Sequence, residues 1–115
     1  MTGPNLADLE LLEAAAKAAG IEFWSRGACG LLIASDSPDR SDYCWSPLAD
    51  DGDALRLAVK RQLRIDHTPH AVHVGTCGDD GEDLASEPVH QRGPTRESAT
   101  RRAIVRAAVA MERQR

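Results

Sequence analysis

His67-Thr-Pro-His70-Ala-Val-His73-Val-Gly-Thr-Cys77 places three imidazoles and a thiol within eleven positions. Imidazole nitrogen and thiolate sulfur are the usual ligands of zinc, so metal chemistry would be sought here first. The spacing works against it. In an extended chain successive side chains alternate between faces, so His67 and His73 would share one face while His70 points to the other. A helix would gather three-residue spacing better, but Pro69 and the Val-containing tail disfavour one. His67, His73 and Cys77 therefore form only a weak metal candidate beside the simpler expectation of solvent-facing sheet histidines. No cofactor is expected.

Asp50-Asp51-Gly52-Asp53 and Asp79-Asp80-Gly81-Glu82 each carry three carboxylates around a glycine. A calcium loop of the EF-hand type needs oxygen ligands alternating over about twelve residues and a closing Glu, a pattern neither cluster supplies. Helix capping accounts for the first and a solvated turn for the second. General acid–base chemistry needs a carboxylate pair in a pocket, and no nucleophile signature accompanies either cluster, so an enzyme is not expected. Asp50, Asp51 and Asp53 remain candidate binding residues, as does Trp45, because tryptophan is enriched among interface hot spots. The competing expectation for Trp45 is a core residue that fixes the entry of the following helix. Arg102, Arg106 and Arg113 are candidates for contact with a phosphate backbone. No helix-turn-helix, RNP-type or zinc-finger pattern accompanies them, and the isoelectric point of about 5.5 is against a dedicated DNA binder.

The elements that must position these residues follow from periodicity. Leu6, Leu9, Leu12, Ala16 and Ala19 predict a first helix from an Asn5 cap to about Ala19, stopped by Gly20. Ile21–Ser25, Leu31–Ala34 and Asp42–Ser46 read as strands, with a turn at Arg26-Gly27 and a loop over Ser35–Arg40. Asp50 is the expected N-cap of a second helix, with Asp53 in the capping-box position. Leu55, Ala58, Val59 and Leu63 make its expected apolar stripe, and the helix should continue through Arg61-Gln62. Leu63–Asp66 and Ala71–Val74 read as strands around a Thr68-Pro69 break, Gly78–Glu82 as a turn, and Ser86–His90 as a Pro-marked edge strand. A last helix from Thr95 or Ser98 towards Met111 gathers Ile104, Ala107, Ala108 and Met111 on one side, with Arg102, Arg106 and Arg113 roughly opposite. Helices at both ends and a strand-rich middle predict an α+β fold in a single domain over residues 1–115.

Of 115 residues, 42% are hydrophobic and 28% charged, values that argue against wholesale disorder, while only 3% are aromatic, so Ala, Leu, Val and Ile must build the core. The net charge of −4 is unevenly placed: residues 92–115 carry seven Arg against two Glu, or +5, leaving −9 on the rest. Such asymmetry fits either nucleic-acid contact at one end or complementary surfaces in an oligomer. Three cysteines without a secretory pattern predict free thiols in a reducing cytoplasm. No apolar run approaches the roughly 18 residues that span a bilayer.

Cys44-Trp-Ser-Pro-Leu-Ala-Asp-Asp-Gly-Asp-Ala-Leu-Arg-Leu-Ala-Val-Lys60 and Ala99-Thr-Arg-Arg-Ala-Ile-Val-Arg-Ala-Ala-Val109 resemble two blocks of a family of small phage and prophage proteins with a "phage ABA sandwich" domain. The resemblance covers about a quarter of the chain and departs from the family pattern at Ser46 and Ala49. It implies a mostly antiparallel sheet packed with helices in an α/β/α sandwich, and implies no activity. The resulting expectation is a protein-binding module of phage or prophage origin, with a host or phage protein or a second copy of itself as partner. Nucleic-acid binding through the arginine-rich helix is the alternative.

Overall fold

The computed structural model describes residues 6–27, 30–33, 43–78, 81–90, 92–93 and 95–113. The expected Asn5 cap, the 35–40 loop, Cys29 and the Asp79-Asp80 pair lie outside them. In chain order the elements are α1 (Leu6–Ala19), β1 (Phe23–Gly27), β2 (Gly30–Ile33), β3 (Tyr43–Trp45), α2 (Asp51–Lys60), β4 (Leu63–His67), β5 (Ala71–Thr76), β6 (Asp83–Pro88) and α3 (Arg96–Arg113). This is the α+β class expected from the sequence. Among the described residues the strand pairs are antiparallel, in two three-stranded sheets ordered β1-β2-β3 and β4-β5-β6.

Helix α3 lies at the centre. It packs on β4, β5 and β6, and its other sides meet α1 and α2, while α1 in turn meets β1 and β2. The sequence allows this because α3 is rich in small residues: Ala99, Ala103, Ala107 and Ala108 are buried together with Ile104, Val105 and Val109. A helix that is apolar around most of its circumference is one that is covered on several sides. The single apolar side expected from Ile104, Ala107, Ala108 and Met111 is therefore too narrow. Met111 is only partly buried, and Ala103, Val105 and Val109 join the core. Arg102 and Arg106 lie on the strip that remains.

Local chemistry moves several boundaries. Helix α1 closes with Gly20 at φ +71, and the Ile21 N–H donates back to the Ala16 carbonyl at 2.8 Å. That bond keeps Ile21 in the helix terminus, so β1 begins at Phe23 and takes in Arg26 and Gly27, which were expected to turn. Strand β6 covers Asp83–Pro88 rather than Ser86–His90 because β5 residues Ala71 to Gly75 select its partners. As expected, β6 is an edge strand with its proline at the last ladder position.

Helix α2 begins as expected, with the Asp50 carboxylate accepting the Asp53 N–H at 2.8 Å. It ends earlier than expected. Lys60 is its last residue, Arg61 donates to the Leu57 carbonyl at 3.0 Å, and Gln62 adopts φ +54. A left-handed residue just past the C-cap is most favourable as glycine, since a Cβ there costs about 1–2 kcal/mol. Gln62→Gly is accordingly expected to raise the unfolding free energy by about 0.5–1 kcal/mol, net of glycine's own chain entropy, as read by urea denaturation.

The expected α2 stripe is corrected. Ala54, Leu57 and Ala58 face the core with Asp53, whereas Leu55 and Val59 are 59% and 68% exposed. The expectation of three free thiols also fails: Cys77 is free and exposed, but Cys44 is disulfide-bonded. Disulfide formation depends on where strands place two cysteines, a matter of tertiary geometry. No helix among the described residues is long and apolar enough to cross a membrane.

Candidate functional site

The acidic start of α2 is largely structural. Asp53 is 1% exposed. Its Oδ2 accepts the Ser46 N–H at 2.9 Å, and its Oδ1 accepts from the Arg56 guanidinium at 2.8 Å. The capping box is thus half formed: Asp53 donates its N–H to Asp50, but its carboxylate reaches back to Ser46. The Asp50 N–H instead donates to the Ser46 carbonyl at 2.8 Å. These bonds tie the end of β3 to α2 and seat Trp45, 4% exposed, among the core residues. Trp45 and Asp53 are therefore unavailable to a partner. Asp50 is the cap, with Arg56 3.9 Å away. Asp50 and Asp51 both stand at the surface, Asp51 2.6 Å from Arg101.

The basic helix meets the acidic body. Arg102 pairs with Asp8 at 3.1 Å, and Arg106 pairs with Glu87. Arg101 donates to the Leu48 carbonyl at 3.0 Å besides its bond to Asp51. Arg113 lines a hollow with Leu11, Leu84 and Val109.

The histidine segment is dispersed. Thr68, Pro69 and His70 form the connection between β4 and β5, where Thr68 Oγ1 accepts the Ala71 N–H at 3.1 Å. Register pairs His67 with Val72 and His73 with Asp66, so the two imidazoles lie on opposite faces of the sheet. The shared face expected for one continuous strand is lost because the connection resets the alternation. His67 Nδ1 meets the Arg96 guanidinium at 3.0 Å, and His73 Nδ1 meets Ser86 Oγ at 2.7 Å. Cys77 Sγ donates to the Gln62 carbonyl at 3.2 Å. Among the described residues, no group of three or more His, Cys, Asp and Glu is placed to hold a metal ion. On the outer face around His73, Arg64 bonds Asp83 at 2.9 Å and pairs with Asp66. The Asp83 hydrogen bond, with the charges of Asp66 and Asp83, holds Arg64 above its ordinary pKa against an opposing desolvation effect. Such a polar face is usual where one side of an antiparallel sheet is solvated.

The feature that sequence reading misses is a cleft of about 280 Å³ between the first turns of α2 and α3 and the strand β4. Ala54, Leu55, Ile65 and Ile104 make its apolar lining, and Asp51, His67, Arg96 and Arg101 contribute polar groups. Arg96 meets His67 Nδ1 at 3.0 Å and donates to the Thr68 carbonyl at 2.7 Å and the Pro69 carbonyl at 3.3 Å. Among the described residues no carboxylate forms an ion pair with it, although Glu97 and Asp51 line the same cleft. The arrangement suits an apolar side chain next to a carboxylate. The exposed Leu55 carried a signal, since it sits on the helix after an acidic turn. Ile65, Arg96 and Ile104 are too far apart in the chain to have been grouped. No protein-family model, curated protein or solved structure matches this chain.

Proposed function

We propose that the protein is a non-enzymatic protein-binding module, a phage or prophage accessory protein that works by stoichiometric occupation of a host enzyme or defence complex. The observation that carries this reading is the cleft between α2, β4 and α3, where an apolar lining adjoins the Arg96 guanidinium, which no described carboxylate pairs directly. A partner segment presenting an apolar side chain beside an Asp or Glu meets both features at once. The resemblance of residues 44–60 and 99–109 to phage ABA-sandwich proteins supports the biological setting, with the bacterial cytoplasm as the place of action. The disulfide at Cys44 argues the other way on compartment, because the cytoplasm keeps most thiols reduced. Nucleic-acid contact through Arg102, Arg106 and Arg113 draws less support, because Asp8 and Glu87 already engage the first two.

The test is affinity capture of the tagged protein from host lysate, with and without nuclease, followed by size exclusion. The expected result is a nuclease-resistant protein bound at stoichiometric level. Thr100 lines the cleft, and its hydroxyl bonds only the Arg96 carbonyl of its own helix, at 2.6 Å. Thr100→Phe therefore fills the cleft and should weaken capture by about 10- to 100-fold. Capture of nucleic acid alone, lost in raised salt, would transfer the assignment to the arginine-rich helix.

A further inference from the structure

Strand β4 is an edge strand: β5 pairs with one side of it, and no described strand pairs with the other. Two bonds flanking β5 fix the phase of its ladders. The Thr68 N–H donates to the Ala71 carbonyl at 2.9 Å, and the Val89 N–H donates to the His70 carbonyl at 2.9 Å. Antiparallel alternation then turns the backbone of Arg64 and Asp66 towards β5 and that of Ile65 and His67 outwards. Among the described residues nothing bonds those outward N–H and C=O groups. The side chains of the same two residues line the cleft, together with the exposed Leu55. An open backbone edge and an apolar recess therefore adjoin one another. The other edge of this sheet is blunted, because the same phase turns the Pro88 nitrogen outwards and that nitrogen carries no proton.

We infer that β4 takes up an extended segment of a partner protein as a fourth, antiparallel strand, and that this segment carries an acidic residue two positions before an aliphatic one. The inference rests on the protein-binding reading above and names the form its partner takes. Residues two apart on a strand share a face. The segment's residue opposite Ile65 thus meets the apolar lining of Leu55, Ile65 and Ile104, and the residue opposite His67 meets Arg96. In an antiparallel partner the residue opposite His67 comes first, which sets the order. Arg96 suits an acid there. A guanidinium only donates, so His67 Nδ1 accepts its bond and the imidazole proton sits on Nε2 as a further donor. With the bonds to the Thr68 and Pro69 carbonyls, two of the five guanidinium N–H groups stay open. Asp51, also at the cleft, is already matched by Arg101. The residue between the two lies on the outer face opposite Asp66, which Arg64 pairs, so a neutral β-branched side chain fits.

The probe is the N-acetylated, C-amidated peptide Lys-Thr-Glu-Thr-Leu-Thr-Lys, titrated to about 5 mM into the isotope-labelled full chain and followed by amide NMR. The Ile65 and His67 amides are expected to shift and to gain protection from hydrogen exchange, with a dissociation constant of about 0.1–1 mM. N-methylation of the leucine removes the N–H that bonds the Ile65 carbonyl and should weaken binding at least about 10-fold. N-methylation of the middle threonine, whose N–H points away from β4, should change it by less than about 2-fold. Replacing the glutamate by glutamine should cost about 5-fold with the wild-type protein and nothing with a folded Arg96→Gln variant. Binding that tolerates both N-methyl groups overturns the strand addition while leaving the cleft as a peptide site. Absence of binding up to about 5 mM overturns it as well. In that case capture from lysate still decides separately whether the protein has a stoichiometric partner.

Discussion

Asp53→Ala is expected to lower the unfolding free energy by about 2–4 kcal/mol, a large share of the stability of a domain this size. The loss has two parts. Removing the carboxylate strands the Ser46 N–H, which Asp53 now accepts at 2.9 Å in a buried setting. It also removes the 2.8 Å bond from Arg56, but that guanidinium is 67% exposed, so water replaces much of the interaction. The stranded amide thus dominates. Asp53→Asn keeps an oxygen that accepts from Ser46 and gives up the charge, and should cost only about 1 kcal/mol. The measurement is urea denaturation followed by the fluorescence of Trp45, next to the severed bond, with Trp24→Phe removing the exposed second indole. Equal losses in the Ala and Asn variants would show that the charge, rather than the buried acceptor, carries the stability.

Leu57→Ala is expected to destabilise the protein by about 2–5 kcal/mol, whereas Val59→Ala in dilute solution should fall within about 0.5 kcal/mol of wild type. Leu57 is 1% exposed and faces the core beside Ala54 and Ala58, so truncation leaves a cavity that α3 and the sheets cannot fully close. Val59, 68% exposed, leaves no such cavity. Thermal unfolding of the two variants decides which face of α2 is inside. A reversed ranking would restore the Leu55–Val59 stripe as the buried one.

Much of the local architecture was legible. Three helices, the β3 segment, the β4 and β5 strands and the N-cap at Asp50 follow from interactions within a few residues, which spacing and side-chain type encode directly. The Pro-marked edge strand was legible in kind, though its span shifted once β5 supplied the pairing. The candidate site was hardly legible. Asp51 was singled out, but for its neighbours rather than for the cleft it borders, and Arg96 was not singled out at all. Trp45 and Asp53 were named as candidate contacts, and both turned out to be fastenings of the fold.

Taken alone, the sequence determined the α+β class, the kind of each helix and strand, and the opposed charges of body and C-terminal helix, because these depend on near neighbours and composition. Only the tertiary structure decided that α2 buries Leu57 rather than Val59, since α3 and β4 choose the face against which it packs. It also decided that His67 and His73 part company, since the intervening connection resets the strand phase, and that Arg102 and Arg106 are spent on Asp8 and Glu87. The cleft belongs to the same class. It joins Leu55, Ile65 and Ile104, which come together because α2, β4 and α3 pack around a shared core, and that packing is non-directional and leaves no fixed spacing in the chain.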